Sequence, residues 1–403
     1  MEKPKNKSNF CIRPFNSAWI DVKGDISPCC LLNPLQSEYT KKNQFSIKKT
    51  DLETWWKSDY LKHLRSSFLK DKRPTECSVC WKKEDTGLSS FRMRSNTEHG
   101  AIFKNKYQRN LKLIGKEDLQ FPEDIQFNIT NLCNLKCQMC SGERSSKLLV
   151  ENNALGYENL DQKDFDLKDS DYVKMLELVK HDLKILKVLG GEPFINPRVI
   201  KLLEMLVQNG QAKRIKLHVT TNGTMCNNKI ISLLKKFKDL RLVFSVDGVG
   251  RCNEYMRFPS KWEMISANIT KFKENLVHAY IMINCVAQNL NVLYVDELLE
   301  FAEQKKIFVK FDLVLEPNWL HLSVLPKKVL SMAYKKLSRV KEKNLLHTDD
   351  VKEIIKLLKH HIDNYYLDET KYKKFIDMVK KRDTYRNIEL KNYMPELARA
   401  IAT

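Results

Sequence analysis

Between residues 121 and 320 the sequence repeats one pattern six times: an apolar run followed by a helical stretch. The runs are IQFNIT (125–130), LKILKVL (183–189), RIKLHVTT (214–221), LRLVFSVD (240–247), AYIMINCVA (279–287) and IFVKFDLVL (307–315). Short runs this rich in Val, Ile and Leu are what strands covered on both faces look like. Helical stretches lie near 197–209, 226–238, 262–275 and 292–305, and another follows the first run. A strand that returns parallel to its neighbour needs such a crossover, and crossovers are right-handed. The pattern predicts an α/β fold, a partial (β/α)6 TIM-like barrel short of the usual eight units. Chemistry in such folds collects at the C-terminal ends of the strands.

The flanks read differently. Residues 1–120 are irregular, with a strand candidate at Ser17–Val22 and a Lys23-Gly24-Asp25 turn leading into Pro28-Cys29-Cys30. DLETWWKSDYLKHLRSSFL (51–69) predicts one amphipathic helix, with Thr50 as N-cap and Glu53 completing a capping box, stopping before Pro74. A connector then runs to about residue 120. From about residue 326 the chain is helical and basic, and no glycine follows Gly250. Three parts are expected: a small Cys-rich N-terminal domain (1–120), a core (121–325) and a C-terminal helical extension (326–403).

Neither a signal-peptide pattern in MEKPKNKSNFCIRPF nor a bilayer-length apolar segment is visible, so a cytoplasmic address without a membrane partner is expected. The net charge is +20, and Lys and Arg exceed Asp and Glu by 10 over residues 1–120, by 2 over 121–320 and by 8 over 321–403. Basic flanks suit nucleic acid or an acidic protein or peptide. They equally suit a solvated lysine-rich surface, because the charges are dispersed and form no arginine-rich run.

Cysteines that cluster in a reducing compartment point to metal rather than disulfides. CNLKCQMC follows the first run directly and holds Cys133, Cys137 and Cys140. Structural zinc commonly takes four ligands, whereas three thiolates suit an iron–sulfur cube with one iron left open; zinc and free thiols remain alternatives. The next strand ends carry Gly190-Gly191-Glu192-Pro193, Thr220-Thr221-Asn222-Gly223 and Ser245-Val246-Asp247-Gly248. Adjacent glycines admit a close backbone approach, and a carboxylate there suits an ammonium group. Each motif alone is also ordinary turn chemistry.

Taken in this order, the motifs of residues 121–320 resemble the radical S-adenosylmethionine (radical SAM) superfamily. The resemblance implies that Cys133, Cys137 and Cys140 hold a [4Fe-4S] cluster whose open iron takes S-adenosylmethionine through its amino and carboxylate groups. Met139 sits where the family contacts adenine. Gly190, Gly191, Glu192 and Pro193 match the turn that receives the methionyl ammonium, and Ser245 matches a position that often meets the cofactor. Thr221 and Asn222 line the same mouth, toward cofactor or substrate. The implied reaction is one-electron cleavage to a 5′-deoxyadenosyl radical that takes hydrogen from substrate, with the electron supplied by a flavodoxin- or ferredoxin-type donor.

The N-terminal cysteines, Cys11, Cys29, Cys30 and the Cys77-Ser78-Val79-Cys80 knuckle, resemble the twitch form of the SPASM/twitch auxiliary-cluster domain, here placed before the core. Cys11, Cys29, Cys77 and Cys80 are then the expected ligands of an auxiliary iron–sulfur cluster. Cys30 is an alternate ligand or a spare, and zinc on the same four thiolates is the alternative. NEYMRFPSKW (253–262) resembles an EYxRxPSxW stretch of twitch-containing members, in which Arg257 either clamps a cofactor or substrate carboxylate or makes a structural ion pair. Cys226, Cys252 and Cys285 are expected to be isolated buried thiols. No catalytic side chain is assigned. The function implied is radical modification of a peptide or protein side chain, with a nucleotide, RNA or sugar substrate as the alternative. A non-catalytic iron–sulfur or zinc binding module is the reading from another class.

Overall fold

The structure is a computed structural model and describes residues 9–32, 45–87, 89–98, 121–165, 167–178, 183–314, 316–342 and 348–402. Residues 99–120 of the connector expected before residue 121 lie outside the described residues, and its earlier part carries the helix Ser78–Asp85. The strands are β1 (Ser17–Ile20), β2 (Asp25–Ser27), β3 (Phe45–Ser46), β4 (Asp124–Asn128), β5 (Lys136–Cys137), β6 (Ile185–Leu189), β7 (Lys216–Thr221), β8 (Asp239–Ser245), β9 (Arg257–Phe258), β10 (Tyr280–Ala287) and β11 (Phe308–Leu313). The apolar runs of the sequence are β4, β6, β7, β8, β10 and β11. Helices Pro197–Gln208, Asn228–Leu234, Trp262–Asn275 and Val295–Lys305 alternate with them. The fold is α/β, with the strand–helix repeat of a partial (β/α)6 barrel. Among the described residues, no helix is long and apolar enough to cross a membrane.

The chain forms two compact units. The first gathers Met1–Thr130, Lys163–Gly190 and Gly210–Leu217. Its strands run in the order β6-β4-β1-β2-β3. β4 is parallel to β6, and β1 is parallel to β4 from Ser17↔Asp124 to Ile20↔Phe127. Asp124 to Phe127 are all buried, as a strand covered on both faces should be. The N-terminal strand candidate thus pairs with the first strand of the barrel, far along the chain.

The helix expected over 51–69 is two helices, Leu52–Trp56 and Asp59–Leu69. Asp51, not Thr50, is the cap, its carboxylate accepting from Thr54 N at 2.7 Å. Ser58 restarts the helix by accepting from Leu61 N at 3.4 Å, since a short hydroxyl side chain competes well for such end groups. The break lets Trp55 and Trp56 bury as well as Leu61, Leu64 and Phe68.

The second unit comprises Asn131–Gln162, Gly191–Asn209 and His218–Thr403. It holds β8, β10, β11 and most of β7, with β10 parallel to both β8 and β11. β8 buries every second residue, Leu240, Leu242 and Phe244, and Phe244 packs on Phe272 of the Trp262–Asn275 helix at 5.7 Å between ring centroids. β5 and β9 make a small antiparallel ribbon of their own. Beyond residue 326 come the helices Lys327–Glu342, Thr348–Asp363 and Glu369–Arg386.

Candidate metal centres

In the second unit, Cys133, Leu135 and Cys137 form one buried cluster, with Met139 and Cys140 packed against it. The loop that brings them together is fixed at its own backbone. Cys133 N donates to Ser146 Oγ at 3.2 Å, and Ser145 Oγ donates to Leu135 O at 2.5 Å. Cys137 lies in β5 and pairs with Arg257 in β9, while Gln138 N donates to Met256 O at 2.9 Å. The NEYMRFPSKW stretch is therefore a clasp on the cysteine loop.

Arg257 works inside that clasp. Its Nη2 lies 2.7 Å from Asp247 Oδ2, and its Nη1 donates toward Cys137 Sγ at 3.6 Å. Asp247 is itself anchored, accepting from Val286 N at 2.8 Å. Of the two roles open to Arg257 in the sequence, the ion pair is the one the structure shows. Burial pushes the Cys133 thiol up to about 11 and raises Cys137 and Cys140 as well, with the Arg257 charge pulling both of the latter back. Thiols held this way ionise only against added positive charge, which a metal centre provides.

The strand ends close around this loop. Gly191 has φ +44°, and a Cβ there would stand 2.1 Å from Leu132 O, so only glycine lets the turn approach the cysteine loop this closely. Glu192 N then donates to the same Leu132 O at 2.8 Å. Within the first unit, a Cβ at Gly190 (φ +88°) would stand 2.9 Å from Thr130 O. The Glu192 carboxylate, expected to meet an ammonium group, is fully buried. It accepts from Thr221 Oγ1 at 2.7 Å, Asn222 N at 2.6 Å and Phe194 N at 3.1 Å. Burial raises its pKa to about 7 against those three bonds. Pro193, also buried, opens the single helical turn that follows.

Asn222 donates to Asn134 Oδ1 at 2.9 Å, Asn134 donates to Thr224 Oγ1 at 2.9 Å, and Thr224 Oγ1 donates to Asn222 Oδ1 at 2.6 Å. This closed ring ties the turn after β7 to the cysteine loop and sets Asn222 Nδ2 at 4.0 Å from Cys133 Sγ. Ser245 ends β8, half-buried, opposite Asn284 of β10. Met139 is half-buried beside the thiols. Cys252 and Cys285 are buried and Cys226 half-buried. Cys285 departs from expectation, because its thiol hydrogen-bonds Asp247 and so joins the Arg257 network.

Two residues of this site were missed in the sequence. Arg382 and Arg386, one helical turn apart on the Glu369–Arg386 helix, are buried against the cysteine loop. Arg382 Nη1 donates to Gln138 O at 2.8 Å and Gln138 Oε1 at 2.7 Å. Arg386 Nη2 donates to Lys136 O at 2.8 Å and to the buried Glu151 at 2.6 Å. Within VKKRDTYR they look like members of a solvated basic face. Their one signal is that both are arginine, spaced to share a helix face, amid a run of lysines.

In the first unit, Cys11, Cys29, Cys77 and Cys80 line a single cavity with Arg13 and Arg92. Cys30 is not on its wall and instead hydrogen-bonds Cys29. Burial pushes the Cys11 thiol up to about 12 and raises Cys77 and Cys80 too; in Cys29 the bond with Cys30 is the larger cause. Among the described residues, no three His, Cys, Asp or Glu side chains converge tightly enough for a single ion.

The radical SAM superfamily model matches residues 127–302, a span that takes in the cysteine loop and every strand-end motif. Over that span the chain carries a radical SAM domain. An iron–sulfur cluster-binding domain, SPASM, matches residues 11–81, from the first cysteine of the N-terminal set to just past the last. The radical SAM domain brings a [4Fe-4S] cluster and S-adenosylmethionine, and the SPASM domain an auxiliary iron–sulfur cluster. Among curated proteins, GTP 3′,8-cyclase of Aliarcobacter butzleri is 25% identical over 192 residues, 46% of this chain and 54% of that protein. The antilisterial bacteriocin subtilosin biosynthesis protein AlbA of Bacillus subtilis is 29% identical over 169 residues, 41% of this chain and 34% of that protein. The chain thus spans about half, or less, of the length of these relatives. Among solved structures, Streptococcus suis SuiB bound to S-adenosylmethionine aligns with a TM-score of 0.42 and 15% identity, over 82% of this chain and 70% of that one.

Proposed function

We propose that this radical SAM enzyme cleaves S-adenosylmethionine reductively and takes a hydrogen atom from a peptide or protein side chain. The observation that carries the substrate class is the pairing of a SPASM match with four N-terminal thiols sharing one cavity. The relationship to a bacteriocin biosynthesis protein supports it. In this reading Cys133, Cys137 and Cys140 hold the first cluster, and Cys11, Cys29, Cys77 and Cys80 hold the second. Met139, Gly190, Gly191, Pro193 and Ser245 contact the cofactor, and Thr221 and Asn222 line the mouth that also admits substrate. Bound together, reduced cluster and S-adenosylmethionine supply a 5′-deoxyadenosyl radical. The chain's own residues do the rest: they fix the loop, keep water out and hold the target C–H in reach. Glu192 braces two strand ends, Arg257 sets a positive charge against Cys137, and Arg382 and Arg386 pin the loop backbone. The electron comes from a flavodoxin- or ferredoxin-type donor.

The test is anaerobic reconstitution followed by dithionite with S-adenosylmethionine, scored by 5′-deoxyadenosine formation. Cys137→Ala is expected to abolish that product while the iron bound at the N-terminal cysteines remains. Product formation that survived the change would overturn the assignment of the first centre, and no product from the unaltered protein would leave a binding module. The match to GTP 3′,8-cyclase favours a second reading, a nucleotide or other phosphate-bearing substrate gripped by the basic flanks.

A further inference from the structure

We propose that Arg13 is a hydrogen-bonding cation of the auxiliary cluster and sets how readily that cluster accepts an electron. Arg13 follows Cys11 by two residues and starts the short helical turn Arg13–Asn16. Its side chain is 1% exposed, and it lines the same cavity as Cys11, Cys29, Cys77 and Cys80. One nitrogen is engaged: Nη1 donates to Asp124 Oδ2 at 2.9 Å. Nε and Nη2 are buried without a hydrogen-bond partner among the described residues. A guanidinium carries five N–H donors in a fixed fork, and buried donors left unpaired are costly enough that native structures rarely keep them.

Arg92 on the same wall provides the contrast. Its three nitrogens are all spent on the protein, two on Glu84 at 2.9 and 2.6 Å and one on Phe10 O at 2.5 Å. Arg13 is therefore the arginine of this cavity with donors to spare, and a cluster held by four thiolates presents the anionic sulfur acceptors that suit them. Asp124 steadies the other end of the fork and shares its Oδ2 with Lys187 Nζ at 2.8 Å. One-electron reduction adds a negative charge to the cluster and neither makes nor breaks a bond at Arg13. The electron comes from a flavodoxin- or ferredoxin-type donor or, in the assay, from dithionite. A fixed cation with free N–H groups favours the more negative state, and Asp124 opposes it.

The experiment uses the full chain with Cys133, Cys137 and Cys140 replaced by alanine, so that only the auxiliary cluster is reconstituted and titrated by electron paramagnetic resonance. Arg13→Gln is expected to shift the reduction equilibrium at least tenfold toward the oxidised form, 59 mV for a one-electron couple. Asp124→Asn is expected to shift it the opposite way. A merely structural role would move both variants in the same direction or neither. Shifts under twofold in both, or of one sign in both, overturn the proposal. Should Arg13→Gln fail to fold, Asp124→Asn decides alone, and no move toward the reduced form overturns it. Absence of iron at the N-terminal cysteines of the unaltered protein removes the premise and overturns it as well.

Discussion

Glu192 shows what a single side chain in this site does and how far it could be read in advance. Its position in LGGEPF marks it as belonging to a ligand-facing turn, but its partners Thr221 and Asn222 lie 29 and 30 residues on. No local pattern announces such a pairing, because it depends on two strand ends being neighbours. Its ordinary pKa of 4.5 is raised to about 7 by burial, which fixes the sign of a pH effect. Below pH 4.5 the group is protonated in both folded and unfolded chains. Between 4.5 and 7 the unfolded chain releases its proton while the folded chain keeps it, so stability falls as pH rises, by about 3 kcal/mol at most, and stays reduced above 7. Glu192→Gln escapes that charge but gives up a carboxylate acceptor, a loss of about 1–3 kcal/mol. The variant is expected to be less stable than the parent at pH 5, with the gap narrowing or closing at pH 8, as urea midpoints at the two pH values would show.

At the scale of elements, the legible parts were those whose signal is local. The barrel strands stood out because strands covered on both faces must be apolar throughout, and the helices between them because their starts carry caps such as Asn196, which accepts from Arg198 N at 2.9 Å. The break at Lys57–Ser58 was hidden because the apolar spacing on either side stays in phase with one continuous helix. Close approach of elements is equally invisible until built, and it yields two predictions. Gly191→Ala places a Cβ 2.1 Å from the Leu132 carbonyl, whereas a Cβ at Gly210 meets nothing within 4 Å. Both have positive φ, so Gly210→Ala is expected to cost about 1 kcal/mol of backbone strain and leave iron binding unchanged. Gly191→Ala should cost more and also lower the iron held at the cysteine loop, which thermal melts and iron assays would separate. Arg386→Ala leaves Glu151 buried with Lys136 Nζ at 3.3 Å as its nearest remaining cation. About 3 kcal/mol of stability should be lost, with loosened iron at the first centre and intact iron at the second. Equal loss of iron from both centres would contradict a local role for this helix.

Over the whole molecule, the excess of 20 positive charges invites a polyanion, yet the structure spends several of the most suggestive cations internally. Arg13, Arg65, Arg257, Arg382 and Arg386 are all buried in ion pairs or against carbonyl groups. Net charge is legible in any sequence; which cations still face water is not. A peptide substrate is expected to bind with a shallow dependence on salt, whereas a substrate held through several phosphates would lose affinity steeply between about 50 and 200 mM salt. Binding isotherms across that range would distinguish the two.

The pairing of β1 with β4 bears on how this protein can be taken apart. Ser17–Ile20 occupies the edge that Asp124–Phe127 would otherwise present to solvent. Stripping away the first hundred or so residues would uncover a row of idle amide and carbonyl groups on an oily strand, the kind of margin along which chains stick to one another. The segment bearing the second set of cysteines thus doubles as the selvedge of the barrel's own fabric, and neither can be lent to another chain without unravelling the other.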